Sequence, residues 1–212
     1  MAAKLIQYWN IAPSRKNDFD IFFVEQFVPA IDDSGHMKMV GSWLVASGEG
    51  PSFVAEGIAN TVDDMATLIM GSTFIELRQE LLKLVDDYST KLLVPTERLE
   101  EQPIEIQQGY KFNRHFNIKA EDYYGFYAFM EKEYFPMMAA FNLQIVGDWY
   151  VQVGATPYVV SESRADDLHL ISKMIQSPEN RALTLKLLTM ATNYGCKVLV
   201  PSGHLDQIRR RL

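Results

Sequence analysis

The chain carries one pattern twice, and this repetition limits its fold more tightly than any single motif. Val40, Gly41, Trp43, Val45, Gly48, Pro51, Val54, Glu56, Tyr88, Lys91 and Leu93 to Pro95 return 106 residues later as Val146, Gly147, Trp149, Val151, Gly154, Pro157, Val160, Glu162, Tyr194, Lys197 and Leu199 to Pro201. One extra residue in the first copy, near Asp32 to Gly35, extends the match upstream. There Asn10, Ile11, Phe19, Phe22 and Pro29 fall on Asn117, Ile118, Phe126, Phe129 and Pro136. A chain of 212 residues is thereby divided into two units of roughly 90 to 100 residues. The boundaries read as 1–95, an acidic linker over 96–108 that contains Pro103, 109–201, and a tail over 202–212.

Within each copy the apolar period alternates between two and three to four residues. Leu5 to Ile11 and Tyr110 to Ile118 alternate as strands. Phe19, Phe22, Phe23 and Phe27, matched by Phe126, Phe129, Met130 and Tyr134, follow helical spacing, and Pro29 or Pro136 is expected to kink or end each helix. Met39 to Ala46 and Gln144 to Val153 read as strands that turn at Gly48 to Pro51 and Gly154 to Pro157 into Phe53 to Ile58 and Tyr158 to Arg164. Helical spacing then runs from Met65 to Tyr88 with a break at Gly71 and Ser72. In the second copy Ser177, Pro178 and Glu179 form a start signal, and Gly195 suits the helix C-terminus. Lys91 to Val94 and Val198 to Val200 close the copies as strands. Strand, helix, strand, strand, helix, strand is the split βαβ, ferredoxin-like order. Two such α+β units, with helices on one face of each sheet, would bury their bare faces against each other as a tandem pseudo-dimeric barrel.

Composition removes several classes of function. A net charge of −7 offers no positive field for nucleic acid or for anionic lipid, and Arg209 to Arg211 read as a solvated end. The single cysteine, Cys196, cannot form an internal disulfide and reads as a small buried hydrophobe. No spacing suggests a metal site. No signal-peptide pattern or 18-residue apolar run occurs, so a cytoplasmic protein without a membrane partner is expected. No phosphate-cradling loop, GxSxG elbow or HExxH motif is present.

The hairpin Val-Gly-x-Trp-x-Val, at Val40 to Val45 and again at Val146 to Val151, together with the late Leu-Val-Pro, resembles the dimeric α+β barrel superfamily, and within it the NIPSNAP-type pattern. The resemblance implies a fold shared by cofactor-independent monooxygenases, isomerases, haem enzymes and proteins without catalysis. A histidine on a helix, such as His169, would be the haem ligand that the resemblance suggests. No cofactor is expected, because Asp166 and Asp167 before His169 suit an exposed first helical turn.

The polar strand faces are the candidate site. Adjacent first and third strands would set His115 and Asn117 beside Glu162 and Arg164, and a carboxylate beside an imidazole makes a general base. His115 and Glu162 are therefore the candidate catalytic pair. Asn117, Arg164, Tyr127 and Tyr150 are the candidate substrate contacts, for a small apolar or aromatic ligand. The same groups could instead bond one another and fix the pairing of the halves. Two classes of function stay open: a small-molecule-binding protein, as an oxygenase or isomerase, and a non-catalytic barrel for self-association or protein contact. Monomer and homodimer both fit.

Overall fold

A computed structural model of the chain describes residues 1–96, 98, 99 and 109–210, apart from the Arg209 side chain. Most of the expected linker, and Arg211, lie outside the described residues. The first repeat comprises β1 (Ala3–Ile11), α1 (Lys16–Phe22), a π turn (Phe23–Phe27), α2 (Val28–Asp33), β2 (Lys38–Ser47), β3 (Phe53–Ala59), α3 (Val62–Met70), α4 (Ser72–Leu81) and β4 (Val85–Pro95). The second comprises β5 (Tyr110–Ile118), α5 (Tyr123–Phe129), a π turn (Met130–Tyr134), α6 (Phe135–Ala140), β6 (Gln144–Val153), β7 (Val159–Ala165), α7 (Leu168–Gln176), α8 (Pro178–Met190) and β8 (Ala191–Pro201). A final helix, α9 (His204–Arg209), follows within the expected tail.

All strand pairs are antiparallel, and the eight strands close into one barrel in the order β1-β3-β2-β8-β5-β7-β6-β4. Each repeat contributes four adjacent strands in the ferredoxin-like order. The repeats meet along two seams with equivalent register: Trp43 lies opposite Pro201 and Val45 opposite Leu199, while Trp149 lies opposite Pro95 and Val151 opposite Leu93. The Leu-Val-Pro of each copy thus pairs with the tryptophan strand of the other. Those motifs recur because they form the junction, and closure leaves no open sheet edge.

Period-two alternation then assigns three cores. Phe19, Phe23, Phe27, Trp9 and Leu81 fill the space between helices and sheet in the first repeat; Phe126, Phe129, Tyr134, Leu187 and Phe112 do so in the second. Ile6, Val40, Trp43, Val54, Leu93, Trp149, Val160 and Leu199 point into the barrel.

One local expectation is narrowed and two are corrected. The first helix of each repeat does not stop at its proline. A π turn precedes Pro29 and Pro136, where the Val28 N–H bonds to Phe23 O and the Phe135 N–H to Met130 O, and this wider winding lets the helix pass the missing donor. The second helices end earlier than the spacing suggested, because Val85 to Tyr88 and Ala191 to Tyr194 are already strand. Asp87 and Asn193 adopt positive φ (54° and 51°) beside register shifts in the pairing with β1 and β5. That bulge moves the alternation by one residue, so Val85 and Tyr88 share the helix-facing side at a spacing that imitates a helix. Gly195 accordingly lies inside β8 rather than at a helix end. The Ser177 cap is observed: its hydroxyl accepts from the Asn180 N–H at 3.1 Å.

Candidate functional site

The inward side chains of β1, β3, β5 and β7 place four charges at the centre of the barrel. Lys4 Nζ lies 2.6 Å from Glu56 Oε2 and 2.5 Å from Glu162 Oε2. Lys111 Nζ lies 2.8 Å from Glu56 and 3.4 Å from Glu162, and all four side chains are fully buried. Lys4 and Lys111 are equivalents in the two repeats, as are Glu56 and Glu162, so the tetrad straddles the pseudo-two-fold. Its walls are the repeated tryptophans, with Trp43 4.5 Å from Lys111 Nζ and Trp149 5.2 Å from Lys4 Nζ. Trp149 Nε1 also donates to Glu162 at 3.1 Å. Gly147 makes that approach feasible, since a Cβ there would stand 2.0 Å from the indole nitrogen and 2.6 Å from the carboxylate. Burial pushes the Glu162 carboxyl up, but Lys111 and Lys4 outweigh it and hold the group at about 2. Burial also disfavours a charged Lys4, yet two close carboxylates raise its pKa. Lys111, farther from Glu162, is lowered by burial.

Glu162 therefore does not face His115. The bridging partner of Glu162 is Asn113, whose Nδ2 donates to Glu162 at 3.5 Å, while His115 lies opposite Val160. The expected catalytic pair is corrected: a one-step offset along β5 puts the carboxylate in the sealed tetrad and the imidazole nearer the barrel end. There the tips of both hairpins and the flanking strands enclose a pocket of about 310 Å³, lined by Tyr8, Glu49, Val54, Lys91, Asn113, His115, Pro157, Val160, Lys197 and Leu199 among others. Lys91 and Lys197 are repeat equivalents that enter from β4 and β8. The Lys91 Nζ donates to Pro157 O at 3.2 Å, and Lys197 donates to Glu49 O.

This pocket carries an excess of cationic groups. Burial lowers the pKa of both lysines, each other's charge lowers that of Lys91 further, and Glu49 partly offsets the effect on Lys197. The same burial, then Lys197 and Lys91, push His115 down to about 4, so its ring is neutral at pH 7. Its ring packs over Gly195, where a Cβ would stand 2.3 Å from Nε2. Asn113 is buried at the pocket floor, and its Oδ1 has no hydrogen-bond partner among the described residues. The arrangement suits an oxyanion near the lysines and a donor near Asn113.

The other expected contacts are dispersed. Asn117 Oδ1 accepts from the Tyr158 N–H at 2.8 Å, as Asn10 Oδ1 does from Ser52 at 2.8 Å, so both asparagines clamp hairpins. Arg164 pairs with Asp166 at 3.1 Å on the surface. Tyr127 and Tyr150 lie outside the barrel around Arg98, whose guanidinium centre is 5.6 and 5.2 Å from their rings. Arg98 Nε bonds the buried Asp148 at 2.5 Å, and Thr96 donates to the same carboxylate. His204 occupies the equivalent place in the other half, between Asp20 Oδ1 at 2.9 Å and Ser202 Oγ at 2.8 Å, against Phe19, Phe23 and Phe53. The repeat thus continues past Pro95 and Pro201, with Arg98 matched to His204; that offset in the sequence was the available signal.

His169 does not fit a haem ligand. It is exposed, and it lines an open surface depression with Phe141, Ser172, Lys173, Gln176 and Glu179 rather than an enclosed cavity. Among the described residues no group of three His, Cys, Asp or Glu side chains is placed to hold a metal ion, and no helix is long and apolar enough to cross a membrane.

The architecture is that of the dimeric α+β barrel, with both halves in one chain. No protein-family profile matches the chain, and no curated protein does. Solved structures do. A chlorite dismutase variant from Candidatus Nitrospira defluvii is similar over 99% of this chain and 94% of its own, at 13% identity and a TM-score of 0.65. A protein from Lactobacillus acidophilus NCFM, provisionally named a monooxygenase, is similar over 94% and 93%, at 13% identity and 0.61. An anthrone oxidase-like protein is similar over 94% and 91%, at 12% identity and 0.57. At these identities the shared property is the fold.

Proposed function

We propose that the protein binds a small organic anion in the pocket at the barrel end, with Lys91 and Lys197 holding the charge and Tyr8, Val54, Val160 and Leu199 the apolar body. The observation that carries this reading is the convergence of two desolvated lysines, one from each repeat, with a neutral His115 and the unpartnered Asn113 Oδ1. Three basic side chains facing one carboxylate, Glu49, add a negative charge to the small apolar or aromatic ligand expected from the sequence.

The same geometry bears on chemistry. An imidazole held near 4 is a weak base for a carbon acid, since an effective general base titrates near the working pH. It accepts a proton from an acidic phenol or enol more readily, with the resulting oxyanion beside the lysines. Oxygenase or isomerase activity on a ligand that becomes a phenolate or enolate is the enzymatic form of this reading, and the names of two similar structures, monooxygenase and anthrone oxidase-like, agree with it. The NIPSNAP-like hairpin pattern belongs with the tetrad, because its tryptophans wall those charges. The tetrad supports a structural role for Glu162 in pairing the halves.

Calorimetric titration with phenyl phosphate, a dianion on one aromatic ring, tests the reading. Saturable binding that the Lys91→Ala, Lys197→Ala double variant loses is expected. Equal binding by the variant, or none by the parent protein, overturns it.

A further inference from the structure

The helix-facing side of β5 holds a second feature that the barrel pocket does not use. Arg114 is fully buried between the sheet and α8, and no carboxylate among the described residues pairs with it. Its Nη2 donates to Asn180 Oδ1, whereas Nε and Nη1 have no partner among the described residues. The guanidinium centre lies 5.2 Å from the Phe112 ring and 5.0 Å from that of Tyr134. Arginine cannot shed its proton in a protein, so this charge is held by one amide oxygen and two aromatic faces. A buried cation so poorly neutralised is costly to retain. The first repeat has Gln7 at this position, so the fold itself does not require an arginine here.

A crevice of about 480 Å³ opens between β5, β8 and the start of α8, and Arg114 stands behind its lining rather than within it. Phe112 and Asn180, the two residues it touches there, both line the crevice, as does Cys196, its cross-strand neighbour on the same face. Ile175, Leu185 and Tyr194 supply apolar wall, and Arg181 adds a second positive charge. We propose that this crevice binds a small aromatic carboxylate, with Arg114 as its anchor. The Asn180 side chain stands where a carboxylate oxygen of the ligand would sit and swings aside on binding. The carboxylate then takes hydrogen bonds from the guanidinium while its ring packs against Phe112, Tyr194 and Leu185.

Two substitutions test this without emptying the core. Asn180→Asp supplies an internal carboxylate to Arg114, and Arg114→Gln reproduces the residue of the first repeat. Benzoate is the probe in calorimetric titration, with benzamide as its uncharged control. Benzoate should bind the parent protein, benzamide should not, and each substitution should weaken benzoate at least tenfold, with Asn180→Asp also raising the melting temperature. Repeating the titrations in the Lys91→Ala, Lys197→Ala background removes the barrel pocket's anion site; benzoate binding that remains there, and that Asn180→Asp or Arg114→Gln weakens at least tenfold, belongs to the crevice. A readout free of any variant is the half-buried Cys196, whose alkylation by iodoacetamide benzoate should slow and benzamide should not. Absence of benzoate binding, equal binding of benzamide, or unchanged affinity in Asn180→Asp would overturn the proposal.

Discussion

Protonation of His115 is forecast to cost the fold a measurable part of its stability. Burial, then Lys197 and Lys91, hold its pKa at about 4 against an ordinary 6.5. Between those values the unfolded chain binds a proton that the folded chain refuses. Stability therefore rises with pH across this window, and is lost as pH falls from 6.5 toward 4. At about 1.4 kcal/mol for each pH unit the whole interval caps the loss at roughly 3 kcal/mol, and the part-exposed ring brings the expected figure nearer 2. The perturbation that isolates it is His115→Gln, which removes the titrating group and leaves the carboxylates unchanged. Urea unfolding of both proteins at several pH values from 7.5 to 4 gives two curves whose difference should widen below pH 6.5 and level off near 4. Parallel curves would refute the argument, because they would mean that His115 titrates alike in the folded and unfolded chains.

The tetrad supplies a contrasting prediction. Glu162→Gln leaves Lys4 and Lys111 with one carboxylate in a dry barrel, and should cost about 3 to 5 kcal/mol in urea unfolding. With Glu162 held at about 2, its contribution is fully present above its unfolded value of 4.5 and is lost progressively as pH falls from there through 2; Glu162→Gln should therefore flatten the acid limb below pH 4.5. Gly195→Ala should displace the His115 ring, read as a shifted imidazole resonance in NMR with loss of phenyl phosphate affinity. Asn117→Ala should cost only about 1 kcal/mol, the worth of one hairpin hydrogen bond, and weaken ligand affinity far less than loss of Lys91 or Lys197, since Asn117 itself does not line the pocket.

Much of the barrel was legible because duplication and period-two alternation are properties of the chain itself. The repeated Gly-x-Trp and Leu-Val-Pro marked the strands that form the seams, although their pairing across repeats is visible only in three dimensions. The site was less legible, for three physical reasons. A carboxylate and an imidazole on one strand face need not share a height in the barrel, so Glu162 fell in the tetrad and His115 near the barrel end. Lys4 and Lys111 form an isolated match upstream of Asn10 and Asn117, where the neighbouring residues differ between the repeats, so in the sequence the four-charge network shows chiefly through its carboxylates. The bulges at Asp87 and Asn193 disguised strand as helix and hid the contact between Gly195 and His115. Lys91 and Lys197 were evident as repeated residues. Only closure of the barrel brings them together.

The most direct test of an anion-binding barrel pocket is the NMR titration of the His115 imidazole with and without saturating phenyl phosphate. A bound dianion offsets the charges of Lys91 and Lys197, so the ligand should raise the pKa of His115 from about 4 toward its ordinary 6.5. An unchanged His115 titration in protein shown by calorimetry to be saturated would place the anion elsewhere and contradict the account.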